Sequence, residues 1–111
     1  MWGRCILKYR ITNRDTSTVV ALDGRFTYSD HDLFRTALDE IQSQAKASCV
    51  FDLSELDFID STGMGLLVLA ADLARSRGFA LSVTGAKGTV RRAFEIAELG
   101  RIIPMDGEPR K

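Results

Sequence analysis

The sequence has a single histidine, two cysteines far apart in the chain and no excess of charge of either sign. These few soft ligands show no zinc-type spacing, which argues against metal catalysis through histidine and cysteine. Lysine and arginine number 15, equal to the 15 aspartates and glutamates, and no basic run is longer than a pair such as Arg91-Arg92. A protein that binds nucleic-acid phosphates normally carries a basic excess, so we expect no nucleic-acid partner.

Long apolar runs are also missing. Lys8 and Arg10 interrupt the apolar stretch that begins at Cys5, so the N-terminus does not resemble a signal peptide. The most apolar run, Leu66 to Ala71, is too short to span a bilayer. We therefore expect a cytoplasmic protein without direct membrane insertion. In such a reducing compartment, we expect Cys5 and Cys49 to be buried free thiols.

The 111 residues fall within the size range of one domain. We expect a single domain over residues 1–105, followed by a short polar tail at 106–111. Apolar periodicity and turn residues predict the order β-β-α-β-α-β-α-(β). The strands are expected at 5–11, 17–22, 49–53 and 80–84, with a last extended piece at 101–105. The fold class is therefore α/β, a mixed sheet of four to five strands with helices packed on it.

Local signals set the expected boundaries of these elements. Asp23-Gly24 is expected to end the second strand, and Ser54 to Ile59 to form a loop. Ser29 or Asp30 is expected to cap the first helix, and Thr89 a third helix from Val90 to Leu99.

The second helix is expected to begin near Ser61 and to end near Arg77, with Gly78 as its C-terminal cap. It is apolar on almost every side, which predicts a helix buried in the middle of the fold. Leu67 and Leu73 are accordingly expected to be almost fully buried.

The segment Asp60-Ser61-Thr62-Gly63 places a hydroxyl at the first turn of that buried helix. The first N–H groups of a helix lack intrahelical acceptors and the helix dipole is positive there, so an anion such as a phosphoryl group is accommodated. From spacing alone, two interpretations stay open. Either Ser61 or Asp60 simply caps the helix, or Ser61 carries a phosphoryl group.

A longer pattern around this segment resembles the STAS domain, the domain of sulfate transporters and anti-sigma factor antagonists. The resemblance runs from about Ala21 to Met105. The matching segments are Asp52-Leu53-Ser54, Phe58-Ile59, Asp60-Ser61-Thr62-Gly63-Met64-Gly65-Leu66-Leu67, Arg77-Gly78, Val90-Arg91-Arg92-Ala93-Phe94-Glu95-Ile96 and Leu99-Gly100-Arg101-Ile102-Ile103.

The resemblance to bacterial anti-sigma factor antagonists implies a phosphorylation-controlled binding module without a cofactor, a metal ion or enzyme activity. It implies that Ser61 is the phosphoacceptor, with Thr62 as a secondary candidate. The unphosphorylated form would bind a serine kinase that doubles as the anti-sigma factor and has a histidine-kinase-like ATPase fold, thereby releasing its effector. A serine phosphatase would reset it. The residues implied in partner binding are Arg25, Thr27, Asp60, Thr62, Gly63 and Met64.

One loop departs from the family pattern. After the second strand, antagonists typically have Gly-Glu-aliphatic-Asp, whereas this chain has Gly24-Arg25-Phe26-Thr27. The fold is expected to survive, but the identity of the partner changes. An alternative function is therefore a STAS subunit that braces a membrane transporter ATPase without being phosphorylated.

The residues disfavour three other kinds of site. A hydrolase triad with Ser61 and His31 lacks nucleophile-elbow spacing. The segment from Gly85 to Thr89 lacks the gap and the ending of a phosphate loop, so a turn is expected there. A magnesium-dependent phosphoacceptor at Asp52 would need an acidic pair at another strand end, and only Asp23 is available. We expect Asp52 to orient a turn instead.

Overall fold

The computed structural model describes residues 7–14, 16–44 and 47–105. In chain order its elements are β1 (Lys8–Asn13), β2 (Ser17–Phe26), a 3-10 helix (Tyr28–Asp30), α1 (His31–Gln44), β3 (Ser48–Ile59), α2 (Ser61–Arg77), β4 (Ala80–Thr84), α3 (Gly88–Ile96) and a second 3-10 helix (Leu99–Arg101). This order confirms the predicted alternation as far as α3. The optional last strand does not form: the extended piece predicted at 101–105 makes a single bridge, between Val83 and Met105.

The four strands form one mixed sheet in the order β1-β2-β3-β4. Strand β1 is antiparallel to β2, and the two following pairs are parallel, as predicted. Helices α1 and α2 connect neighbouring parallel strands in the same direction, so right-handed crossovers place both on one face. Burial agrees with this arrangement: Val20 and Phe51 on the covered face are fully buried, whereas Val19 and Val50 on the other face are partly exposed.

Two predicted strand ends are wrong. Strand β2 continues through Asp23-Gly24 to Phe26, and β3 continues through the predicted loop to Ile59. The register between them shifts twice, between Ala21 and Asp23 and again between Gly24 and Arg25. Irregularities of this kind absorb extra residues while the ladder goes on. Turn-forming residues therefore bend the strand pair without ending it, and both strands reach the start of α2.

Three phenylalanines fix α1 against the centre of the sheet. The ring centroids of Phe26 and Phe34 are 4.8 Å apart, and those of Phe34 and Phe51 are 5.8 Å apart. All three side chains are fully buried. Offset and tilted aromatic pairs at these distances are favourable beyond the area they bury. The end of β2 is therefore anchored at Phe26, next to the residues that begin α2.

Helix α2 ends as predicted but is not buried on every side. Gly78 adopts a left-handed conformation (φ 86°), and its N–H donates to the Ala74 carbonyl oxygen. Leu67 is fully buried, which confirms that prediction, but Leu73 is only half-buried, so that prediction is wrong. The helix is covered by the sheet and α1, and its remaining apolar side chains stay partly exposed to solvent.

The predictions for α3 are wrong at both ends. The helix begins at Gly88 and ends at Ile96, because Glu98 adopts a left-handed conformation (φ 56°) before the 3-10 helix that starts at Leu99. Lys87 occupies the N-cap position and makes no side-chain hydrogen bond there. The Thr89 hydroxyl donates instead to the Asp57 carbonyl oxygen, at 3.0 Å. Thr89 therefore ties α3 to β3 and does not cap its own helix.

Candidate functional site

The end of the β2–β3 pair delivers Ser61 to the first position of α2. Asp60 follows directly after β3, has extended backbone angles and is the N-cap residue of the helix. Its N–H donates to the Phe26 carbonyl oxygen at 3.2 Å, which continues the ladder one residue beyond the last paired residues. Ser61 is exposed to solvent. The predicted position of this serine at a helix start is confirmed.

Asp60 caps the helix with one carboxylate oxygen and holds the neighbouring loop with the other. Its Oδ1 accepts the N–H of Gly63 at 2.8 Å, and its Oδ2 accepts the N–H of Tyr28 at 3.1 Å. A capping aspartate satisfies backbone donors that the helix itself leaves unpaired. Of the two residues that the sequence offered as caps, Asp60 takes this role. The Ser61 hydroxyl is therefore not needed for it.

Two backbone donors remain at the start of α2. Of the first four N–H groups, those of Asp60 and Gly63 have acceptors in Phe26 and in the Asp60 carboxylate. Within the described residues, the N–H groups of Ser61 and Thr62 have no protein acceptor. Unpaired first-turn donors and the positive end of the helix dipole both favour an anion at this place.

Gly63 permits the close approach of α2 to β2. A Cβ atom at this position would lie 2.7 Å from the Phe26 carbonyl oxygen and 2.8 Å from Ile59 Cγ1. Real Cβ atoms do not approach other atoms so closely, so this packing requires glycine. Gly65 differs, since a Cβ atom there would meet nothing within 4 Å. Gly63 therefore fixes the helix start, whereas Gly65 is a small residue on an exposed surface.

The loop between β2 and α1 is built around Asp30, which is buried. The Thr27 N–H donates to Asp30 Oδ2 at 2.8 Å, and the Asp30 N–H donates to the Thr27 carbonyl oxygen at 2.9 Å. The predicted cap at Ser29 or Asp30 is therefore wrong by two or three residues, because Thr27 takes the N-cap position of the 3-10 helix that leads into α1. This reciprocal bonding presents Tyr28, whose residue surface is 74% exposed, beside the Asp60 carboxylate.

Arg25 lies near the end of β2 and stacks on Phe58 of β3. Its guanidinium carbon is 4.3 Å from the centroid of the Phe58 ring, within the range of a cation–π contact. The two residues are partners in the β2–β3 register, immediately before the pair of Phe26 and Ile59. Arg25 is exposed and Phe58 is half-buried. The Arg25 guanidinium is thus held at the end of β3 that leads into α2, on a residue three positions before Ser61.

The residues predicted to act together do lie at one end of the sheet. Arg25, Thr27, Asp60 and Gly63 are linked by strand pairing, by the loop around Asp30 or by direct hydrogen bonds, and Thr62 and Met64 are half-buried in the first turn of α2. Sequence reasoning missed Tyr28 and the Arg25–Phe58 stack. The register of β2 and β3 would have been needed to find the stack, and the Asp60 bond to find Tyr28.

The alternative sites have other structural roles. The His31 side chain is exposed and lies 3.5 Å from the Asp32 carboxylate. Asp52 Oδ1 accepts the Ser54 N–H at 3.0 Å, inside β3, in keeping with an orienting role. Within 7–14, 16–44 and 47–105, no group of three histidines, cysteines or acids could hold a metal ion.

Cys49 is a buried free thiol, as predicted, whereas Cys5 lies outside the described residues. Burial raises the pKa of the Cys49 thiol to about 12, so the unreactive protonated form dominates at neutral pH. No helix in the described part of the chain is long and apolar enough to cross a membrane.

The chain is similar to known proteins along most of its length. A family model described as "Mlab, STAS domain" matches residues 10–104. An anti-sigma F factor antagonist from Paenibacillus polymyxa is 28% identical over 88 residues, which are 78% of this chain and 75% of that protein.

Solved structures show the same fold. An anti-sigma factor antagonist from Mycobacterium paratuberculosis has a TM-score of 0.77 at 20% identity, over 93% of this chain and 87% of that one. The Bacillus cell fate determinant SpoIIAA, solved in its phosphorylated form, has a TM-score of 0.67 at 18% identity, over 91% of this chain and 93% of that one.

Proposed function

The chain belongs to the STAS domain family, and from that premise we propose that it is an anti-sigma factor antagonist controlled by phosphorylation of Ser61. In its unphosphorylated form it binds a serine kinase that is also an anti-sigma factor, and it thereby frees the effector that the kinase holds. A serine phosphatase restores the binding form. The proposed protein is a binding module and not an enzyme.

The exposed Ser61 hydroxyl on a helix start that is already capped carries this proposal. Asp60 satisfies the Gly63 N–H, so a phosphoryl group on Ser61 displaces no existing bond. The N–H groups of Ser61 and Thr62 and the helix dipole favour the added charge of about −1.5 to −2 at neutral pH. The SpoIIAA fold, solved in a phosphorylated form, accommodates such a group in that protein.

Phosphorylation then acts on the complex and leaves the fold nearly unchanged. A partner carboxylate about 6 Å from the phosphate would be repelled by roughly 3 kcal/mol per unit charge at an effective dielectric constant near 20. Solvent exposure and salt reduce this to about 1–3 kcal/mol, which corresponds to binding about 5- to 150-fold weaker.

Calorimetric titration against the histidine-kinase-like serine kinase of the same organism tests the proposal. Ser61→Asp should lose part of the affinity, whereas Ser61→Ala should bind like the wild type and should gain no phosphate when kinase and ATP are added. Lys87→Asp is the control, since it places a carboxylate at the start of α3 on a residue whose side chain makes no capping hydrogen bond. Equal affinity of wild type, phosphorylated protein and Ser61→Asp would contradict the switch.

The second candidate function is a STAS subunit that braces a transporter ATPase. It is favoured by Arg25, which stands where the antagonist pattern has an acid, and it requires no phosphate on Ser61. Under this function, Ser61→Asp would bind its ATPase as tightly as the wild type does.

The proposed absence of catalysis has its own test. The purified protein should hydrolyse neither ATP nor a simple ester. Steady hydrolysis that disappears in Ser61→Ala would show that Ser61 is a nucleophile and would overturn this part of the proposal.

A further inference from the structure

Arg25 differs from the other arginines that the structure describes in how its guanidinium is held. It is stacked on the Phe58 ring, and this is the one cation–π contact found within residues 7–14, 16–44 and 47–105. Three other arginines, Arg75, Arg91 and Arg101, pair with carboxylates of their own helical segments at 2.6, 3.1 and 3.0 Å. Within the described part, Arg25 has no carboxylate within 4 Å.

The Asp60 carboxylate at the start of α2 is already bonded to backbone donors. Both oxygens of Asp60 accept N–H groups, from Gly63 and from Tyr28. The Arg25 guanidinium therefore has no carboxylate partner within 4 Å among the described residues, at the end of the strand pair that leads to Ser61. A guanidinium has five N–H donors in a fixed planar fork, which fits a carboxylate with two parallel hydrogen bonds.

The Phe58 ring lowers the entropic cost of immobilising the Arg25 side chain when a partner binds. An exposed arginine normally loses side-chain freedom when it is immobilised at an interface. Stacking on a half-buried ring limits that freedom before any partner binds and leaves the guanidinium edge free to donate. Arginine and tyrosine are the residue types in which binding energy is often concentrated, and the exposed Tyr28 follows three residues later, with its backbone N–H bonded to Asp60.

We propose that Arg25, held on Phe58, selects the protein partner by forming a bidentate pair with a carboxylate on the partner's docking surface. This inference rests on the proposed function, since it concerns the kinase that binds around Ser61. The complementary partner surface is acidic where it meets the end of β2. The balanced charge of this chain makes a local pair of this kind a better discriminator than long-range attraction.

Titration of the same kinase with Arg25 variants tests the inference. Arg25→Ala should weaken binding at least about tenfold, and Arg25→Glu more strongly, since it sets two carboxylates against each other. Arg25→Lys should restore only part of the affinity, because an ammonium group lacks the planar fork. Phe58→Leu, which keeps an apolar side chain but removes the stack, should weaken binding less than Arg25→Ala. Arg92→Ala, an exposed arginine on α3, is the control and should bind like the wild type.

Two further measurements complete the design. The difference in affinity between wild type and Arg25→Ala should shrink as salt is added, since screening weakens an exposed pair. Charge reversal of one acidic residue of the kinase should restore the binding of Arg25→Glu. Thermal unfolding of each variant checks that the fold is intact, and Arg25→Gln replaces Arg25→Glu if that variant unfolds.

The outcomes separate this inference from the proposed function. If Ser61→Asp weakens binding while Arg25→Glu binds like the wild type, the switch stands and the role of Arg25 is wrong. If Arg25→Glu binds more tightly, the partner surface is basic and the inference is again wrong. If the wild type does not bind the kinase at all, both the proposed function and this inference are wrong.

Discussion

Helices α2 and α3 both carry hydroxyl groups in their first turn, but the exposed Ser61 hydroxyl of α2 and the Thr89 hydroxyl of α3 differ in how they are bonded. At α2, the Asp60 side chain satisfies the Gly63 N–H, and Ser61 is exposed. At α3, the N-cap residue Lys87 makes no side-chain hydrogen bond, and the Thr89 hydroxyl is bonded to a carbonyl oxygen of β3. Because Asp60 caps α2 from outside the helix, the Ser61 hydroxyl is not needed as a cap. The Thr89 hydroxyl of α3, in contrast, holds its helix against β3.

This difference shows why a hydroxyl at a helix N-terminus does not by itself predict a phosphoacceptor. What matters is which group satisfies the first N–H donors and whether the hydroxyl has a structural partner. The start of α2 is also bound to β2 by backbone contacts, whereas a Cβ atom at Gly88, the first residue of α3, would meet nothing within 4 Å. The following changes test this contrast.

Gly63→Ala should have the largest effect. The added methyl group would overlap the Phe26 carbonyl oxygen and Ile59, so the helix must move from the strand, at a cost of about 2–3 kcal/mol in the free energy of unfolding. Denaturant unfolding measures it. Gly65→Ala is the control and should be neutral or stabilising by up to about 1 kcal/mol, since alanine favours the helix. Equal stability of the two variants would show that α2 is not packed against β2 in this way.

Asp60→Ala should come next. It removes the cap of α2 and the bond to the Tyr28 N–H, and we expect a loss of about 1–2 kcal/mol. Lys87→Ala, at the equivalent position of α3, removes no capping hydrogen bond and should change stability by less than about 0.5 kcal/mol. The urea midpoints of the two variants measure these losses of stability. A comparable loss at both positions would show that α2 and α3 do not differ in how they are capped.

Thr89→Val should have a smaller effect. It keeps the shape of the side chain and removes the hydrogen bond to the Asp57 carbonyl oxygen, which is worth about 0.5–1.5 kcal/mol. Because this bond is exposed, we expect a loss near the lower value, together with faster amide hydrogen exchange at the start of α3. A stability equal to wild type would show that Thr89 does not tie α3 to β3.

Ser61→Ala should have the smallest effect on stability, below about 0.5 kcal/mol, because Asp60 already caps the helix. Ser61→Asp should be equal to wild type or slightly more stable, by about 0.3 kcal/mol, since a negative charge in the first turn favours the helix dipole. Thermal unfolding of both variants is the measurement. A large loss in Ser61→Ala would mean that the hydroxyl has a structural role, contrary to its proposed availability.

Much of the fold could be predicted from local patterns, because the local signals agreed with the tertiary pairing. Gly78 ends α2 where the apolar pattern stops, and β4 occupies the predicted residues. Asp23-Gly24 and Ser54 show the limit of this approach. Both have turn chemistry, yet both lie inside strands, because the pairing of β2 with β3 supplies hydrogen bonds that outweigh the local preference.

Some residues of the candidate site could be predicted from the sequence and others could not. Ser61 and Asp60 could be found from the sequence, since a motif and a helix start coincide there. The stack of Arg25 on Phe58 could not, because it depends on two register shifts that place these residues opposite each other. Tyr28 could not be found either, because its position follows from an Asp60 bond between segments distant in the chain.

The single bridge between Val83 and Met105 has a consequence for self-association. The Val83 N–H on the outer side of β4 donates to the Pro104 carbonyl oxygen at 2.9 Å, so the middle of this edge is already bonded. Among the described strands, β1 is then the one along which another chain could extend the sheet. Lys8 and Arg10 are exposed on that strand, and two copies aligned there would bring like charges together. These charges disfavour pairing between the β1 edges of two copies.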